Sequence, residues 1–113
     1  MNGAMAEAFS RHRFTEVYPV LADDVVWTVM GERVMVGREA VIAACEESAA
    51  YLAGVTTEFG RFLVVDGGNA VVVDTRATYT DAEDAVFRVS SCDVYEFVGR
   101  RLVAITSYTV ATS

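Results

Sequence analysis

Cysteine, histidine and proline are nearly missing from this chain, and each scarcity closes off a class of explanation. Only Cys45 and Cys92 occur, with one histidine, His12, and one proline, Pro19. That is too few thiols and imidazoles for a zinc site, a CxxC redox pair or a thiol and imidazole catalyst, so no metal and no cofactor are expected. The two cysteines read as small buried packing residues, unpaired in a reducing compartment. Basic residues are scarce too. Nine of them, scattered along the chain, face sixteen acids and leave a net charge of -7. Nucleic acid and anionic membrane surfaces need clustered Lys and Arg, so neither is an expected partner. No apolar run reaches the length of a membrane span. The opening MNGAMAEAF has neither the basic start nor the apolar core of a secretory signal, and the expectation is a cytoplasmic protein.

What is present is a globular balance: 53% hydrophobic and 22% charged residues in 113. A chain of this size makes one domain, here residues 1–113, and buries roughly two thirds of its unfolded surface without needing staples. Residues 4–12 are helix-compatible, and a second short helix is expected from Thr15, as N-cap, to Leu21, with Pro19 tolerated near its first turn. DVVWTVM at 24–30 alternates as a strand, with Val25, Trp27 and Val29 on one side. A short strand at 33–36 follows the Gly31-Glu32 turn, and Gly37-Arg38-Glu39 opens the longest helix, ending at Leu52 before Gly54. Four strands then run at about 56–65, 70–79, 85–97 and 102–110. Helices, a strand, a long helix and then a meander make an α+β protein, with a curved mixed sheet wrapped around the N-terminal helices. Such a sheet forms a cone whose open end is a natural small-molecule site.

The stretch AVFRVSSCDVYEF at 85–97 carries the most chemistry. Side chains repeat every two residues in a strand, so Phe87, Val89, Ser91, Asp93, Tyr95 and Phe97 share one face. Asp93 therefore points among apolar and aromatic neighbours. A carboxylate there must be paired, hydrogen-bonded or protonated. It reads either as an acid that contacts a ligand carbonyl or hydroxyl or as a structural acid satisfied by its neighbours. If residues 80–84 form the loop before this strand, Ala77 opposes Phe87; a shift of two would instead set Arg88 against Asp74. Both registers put Val71, Val73, Thr75, Ala77 and Tyr79 on the Asp93 face. The opposite face is half polar and half apolar, which fits a homodimer interface. For the last strand, a three-residue turn sends Val103, Ile105, Ser107 and Thr109 inward, and a four-residue turn sends Leu102, Ala104, Thr106 and Tyr108.

The segments LADDVVWTVMGERVMVGREAVIAA at 21–44 and CDVYEFVGRRLVAITSY at 92–108, with the order of elements between them, resemble the SnoaL-like branch of the NTF2-like superfamily. That branch includes ketosteroid isomerases, polyketide cyclases and limonene epoxide hydrolases. The resemblance implies a cone-shaped sheet around a pocket and a dimeric protein. It sets Asp93 where ketosteroid isomerases carry the acid that hydrogen-bonds the developing oxyanion, a case of a carboxylic acid kept neutral by apolar surroundings. Their general base falls at Val29 and their helix tyrosine near Met5, so that isomerase chemistry has no base to start it. The two aspartates and arginine of the epoxide hydrolases could suggest Asp74, Arg76 and Asp93, but strand parity puts Asp93 on the opposite face from the other two. His12 lies in a polar Arg-His-Arg turn and reads as a solvated loop residue.

The residues thus point to a small-molecule-binding protein with an apolar pocket. Its ligand is a small hydrophobic molecule such as a cyclic polyketide or terpenoid. Asp93 is the polar anchor or proton donor and the one candidate catalytic group. Trp27, Val29, Thr75, Tyr79, Phe87, Ser91, Tyr95 and Ile105 are the expected pocket wall. An isomerase, cyclase or hydrolase using Asp93 as acid is one alternative reading. A dimeric association module with a vestigial pocket is the other.

Overall fold

The structure is a computed structural model and describes residues 1–112. Its elements are α1 (Asn2–Ser10), β1 (Leu21–Val29), β2 (Arg33–Val36), α2 (Arg38–Leu52), β3 (Thr56–Asp66), β4 (Ala70–Thr80), β5 (Val86–Val98) and β6 (Arg101–Ala111). The strands form one mixed six-stranded sheet in the order β2-β1-β6-β5-β4-β3. Only β1 and β6 are parallel, because the long connection through β2, α2 and the meander carries the chain back to lie beside its first strand. The sheet curves, α1 packs on β3, β4 and β5, and α2 packs on β1 and β2. The α+β architecture is thus the one the element order implies.

The expected second helix is absent. Residues 14–20 form two single 3-10 turns, Phe14–Glu16 and Tyr18–Val20, Thr15 makes no capping bond, and Leu21 already belongs to β1. Pro19 supplies no N–H and disfavours α geometry at Tyr18, so a continuous helix cannot pass through the pair. Asp23 and Asp24 accordingly lie exposed within the strand rather than at a helix end.

Two glycines help to set the helices. Gly37 is the N-cap of α2 at φ +95°, a conformation that strains any residue with a Cβ. Gly3 lets α1 approach the end of β3 so closely that a Cβ there would collide with the Asp66 carboxylate. Beside it, the Asn2 side-chain amide donates to the carbonyls of Gly68 at 3.0 Å and Gly99 at 2.9 Å. These bonds tie the start of α1 to both hairpin turns at one end of the sheet.

Register decides which side chains meet in the interior. The β4–β5 ladder runs without a break from Ala70↔Glu96 to Thr80↔Val86. Its pairing is two residues away from the first register expected from sequence and in the opposite sense to the alternative. Ala77 opposes Val89, Arg88 opposes Thr78, and Val73 opposes Asp93. Parity is unchanged, so Asp93 stays on the inner face. At the β5–β6 hairpin, Phe97 pairs Leu102 while Glu96 pairs Ala104, which leaves Val103 as an extra residue. This bulge resolves the last strand in favour of neither simple alternation. Leu102 points inward before it, and Ile105 and Ser107 point inward after it, all three buried.

Candidate functional site

The concave face of the sheet does not close completely on the helices. A cavity of about 540 Å³ lies between the end of α1, the C-terminal half of α2 and the inner faces of β1, β4, β5 and β6. That is within the roughly 300–1,000 Å³ usual for small-molecule sites. Aromatic rings supply much of its wall. Phe9 meets Trp27 edge to face, with centroids 5.0 Å apart and planes at 84°, and meets Phe14 at 5.1 Å. On the other side Tyr79 and Phe87, directly paired across β4 and β5, stack at 5.5 Å.

Asp93 sits on this wall with hydroxyl groups around it. Ser10, in the last turn of α1, donates to Asp93 Oδ2 at 2.9 Å, and its oxygen lies 2.7 Å from the Tyr95 hydroxyl. A serine hydroxyl has one proton, so while Ser10 donates to Asp93 it accepts from Tyr95. From the other side, Trp27 Nε1 donates to Ser107 Oγ at 3.0 Å. An indole N–H can only donate, which leaves the Ser107 proton for the Asp93 carboxyl opposite it in the β5–β6 register. Two short relays, Tyr95–Ser10 and Trp27–Ser107, therefore converge on one acid. Burial pushes the Asp93 carboxyl above the usual carboxylate range, and hydrogen bonds from Ser107, Ser10 and Tyr95 offset part of that rise. The Tyr95 phenol is raised well above its ordinary value, chiefly by burial and then by the Asp93 charge. Among the described residues, no buried side-chain nitrogen or oxygen lacks a hydrogen-bond partner.

His12 is a correction to the sequence reading, since it lines the cavity instead of lying free in solvent. Helix α1 ends in a Schellman arrangement: the His12 N–H bonds to the Phe9 carbonyl at 2.9 Å and the Arg13 N–H to the Ala8 carbonyl at 2.8 Å. His12 therefore occupies the left-handed position, at φ +67°, where glycine is the usual residue. The turn swings its ring inward against Phe14, Phe59 and Tyr79, at centroid distances of 5.8, 5.8 and 6.3 Å. Burial lowers its pKa below 6.5, so the imidazole is neutral at pH 7.

Of the residues expected at the pocket, Trp27, Val29, Tyr79, Phe87, Ser91 and Asp93 line the cavity. Thr75, Tyr95 and Ile105 are buried in the core and do not reach its wall. Tyr95 acts on the site from behind, against Ser10 and the Asp93 carboxyl. Sequence reading left out Phe9, Ser10 and the α2 residues Glu47, Ser48, Tyr51 and Leu52, all of which contribute to the wall. Asp74 and Arg76 lie on the convex face, where Asp74 Oδ2 pairs with Arg61 Nε at 2.7 Å. With no bulge between β4 and β5, an Asp74–Arg76–Asp93 set cannot assemble. Among the described residues no group of histidine, cysteine and acidic side chains is arranged to hold a metal ion. Cys45 is buried and its thiol is pushed up to about 12, which leaves it inert at neutral pH.

A curved mixed sheet half closed by helices, with a buried acid on the wall of an aromatic cavity, defines a class of small α+β cone proteins. The SnoaL-like domain model matches residues 3–105, and the chain belongs to that family, within the NTF2-like proteins. An NTF2-like protein of unknown function from Cytophaga hutchinsonii is 30% identical, with a TM-score of 0.83 over 95% of this chain and 94% of that one. An NTF2-like protein from Burkholderia xenovorans is 19% identical, with a TM-score of 0.72 over 94% of this chain and 83% of that one. An LEH-like epoxide hydrolase from M. tuberculosis shares the fold at 18% identity, with a TM-score of 0.70 over 96% and 82% of the two chains. A search of curated proteins found no match.

Proposed function

We propose that the protein binds a small hydrophobic, cyclic molecule in this cavity, with Asp93 as its polar anchor. The observation that carries the reading is the placement of Asp93, fed by hydroxyl donors from two sides, on a cavity wall to which Phe9, Phe14, Trp27, Tyr51, Tyr79 and Phe87 supply rings. Rings gain from burial against rings, and a single polar contact fixes their orientation. A thermal-shift screen of compact hydrophobic compounds tests it. Hits are expected to stabilise the protein and to lose most of that effect in Asp93→Asn; equal stabilisation of both removes Asp93 from the reading.

Acid–base chemistry on the bound ligand is a second reading, and His12 favours it. A neutral imidazole and a carboxyl of raised pKa face one cavity, which puts a proton acceptor and an acid against the same bound molecule. Turnover of a screened ligand that fails equally in His12→Asn and Asp93→Asn would support it.

A homodimer through the convex sheet face belongs to the same proposal. Val65, Tyr108 and Val110 are 54, 46 and 63% exposed there, beside Leu63 on β3. The face mixes these apolar side chains with the Arg61–Asp74 ion pair between them, a composition that suits an isologous contact between two copies. The free thiols of Cys45 and Cys92 fit a reducing compartment, in keeping with a cytoplasmic site of action.

A further inference from the structure

The cavity has no positive charge of its own. The chain contains no lysine, and among the described residues no arginine lines the cavity. Among the described residues the ion pairs join Arg11 to Glu7, Arg13 to Glu16, Arg33 to Glu47 and Arg61 to Asp74, and none involves Asp93. Of the two acids on the wall, Glu47 is already paired by Arg33 at 3.2 Å, so Asp93 is the acid left without a counter-cation.

Hydrogen-bond direction sharpens the point. The Trp27 N–H is committed to Ser107, and the Ser10 and Ser107 protons are committed to Asp93. The hydroxyls of Tyr79, Ser91 and Thr109 elsewhere on the wall can donate or accept, but at the acid itself these three donors are spent and acceptor lone pairs remain. A ligand group seated there must donate. The adjoining rings favour the same class of ligand, because Phe9 and Trp27 line the cavity beside Ser10 and Ser107 and aromatic rings attract cations. The net charge of -7 favours the approach of cations over that of anions.

We infer that the ligand is an arylalkyl or alicyclic amine, bound as its ammonium form with the N–H groups on Asp93 and the ring against Phe9, Trp27 and Phe87. This rests on the proposal that the cavity binds a small hydrophobic molecule, and it names that molecule's class. An ammonium supplies three donors and the missing charge together. An alcohol supplies one donor and no charge. A ketone supplies an acceptor where acceptors already crowd, and a carboxylate adds a second negative charge.

Four probes of one shape separate these cases: naphthylmethylamine, naphthylmethanol, acetonaphthone and naphthoate, each titrated calorimetrically into the intact protein at pH 7. The amine should bind tightest, about tenfold better than the alcohol, a difference equivalent to about 1.4 kcal/mol. The ketone should fall below the alcohol, and naphthoate should not bind. Asp93→Asn should abolish the amine's advantage over the alcohol. The order on the unmodified protein stands whether or not the variant folds. Ketone or carboxylate binding at least as tight as the amine overturns the inference and leaves a ligand-binding cavity intact, as does an amine preference that survives Asp93→Asn. Failure of all four probes to bind overturns the ligand-binding proposal and this inference with it.

Discussion

Trp27 and Asp93 belong to strands that are not neighbours, yet Ser107 on the strand between them links the two. The indole donates to Ser107 at 3.0 Å, and Ser107 lies directly across β5–β6 from Asp93. The aromatic wall and the acid are therefore one unit, and its parts constrain each other.

Removing the link should be costly at both ends. Ser107→Ala leaves the half-buried Trp27 N–H without its acceptor and takes one donor from Asp93, a loss of about 1–3 kcal/mol for a buried polar group left unpartnered. Urea denaturation followed by the fluorescence of Trp27, the chain's one tryptophan, measures it. Wild-type stability with an unchanged emission maximum would mean that the Trp27–Ser107 bond carries no weight.

At His12 the backbone and the side chain make opposing demands. Its φ of +67° favours glycine, whereas its ring packs on Phe14, Phe59 and Tyr79. Both His12→Ala and His12→Gly lose the ring, but only alanine keeps the left-handed strain. The glycine variant should exceed the alanine variant in stability by about 1 kcal/mol. Equal thermal midpoints would argue against the Schellman turn.

The raised Asp93 carboxyl sets a direction for pH. Its folded-state pKa lies above the ordinary 3.8, so the native state holds the proton more tightly than the unfolded state. That contribution is complete below pH 3.8 and is lost as pH rises through the folded value. Asp93→Asn, which never ionises, should match wild type in acid and gain on it towards neutrality, by about 0.5–2 kcal/mol, as stabilising changes at functional sites commonly do. Thermal midpoints of both proteins across the acid-to-neutral range check this. A gap that shrinks as pH rises would reverse the sign.

The convex face makes a prediction about assembly. Sedimentation at micromolar concentration should show a species of twice 12.3 kDa, and Tyr108→Asp should return it to one chain while changing monomer stability by less than about 0.5 kcal/mol. A wild-type monomer would remove the dimer.

Much of the fold was legible because alternation survives errors of register. Asp93 reached the inner face although the expected β4–β5 pairing was two residues out, since a shift of two preserves parity. The order of elements and the length of α2 followed from periodicity and from the Gly37 and Gly54 boundaries. The site was less legible, because it depends on what helix ends and bulges do. Nothing in Arg11-His12-Arg13 says that a Schellman turn will fold the imidazole inward. Ser107 became an inner residue together with Leu102 only through the Val103 bulge, which simple alternation does not anticipate. Tyr95 had the correct face but lies too deep, so it was expected on the wall and instead supports Ser10 from behind.

The Asp93 carboxyl, on the cavity wall, is the proposed anchor for a bound molecule. Carbon-13 NMR of that carboxyl, titrated with acid in the free protein and again with saturating naphthylmethylamine, reads it directly. The resonance should titrate above the ordinary carboxylate range when free and shift to a lower titration midpoint when the ammonium is bound. A carboxyl that titrates as an exposed aspartate, or whose curve is unmoved by ligand, would contradict the anchor role.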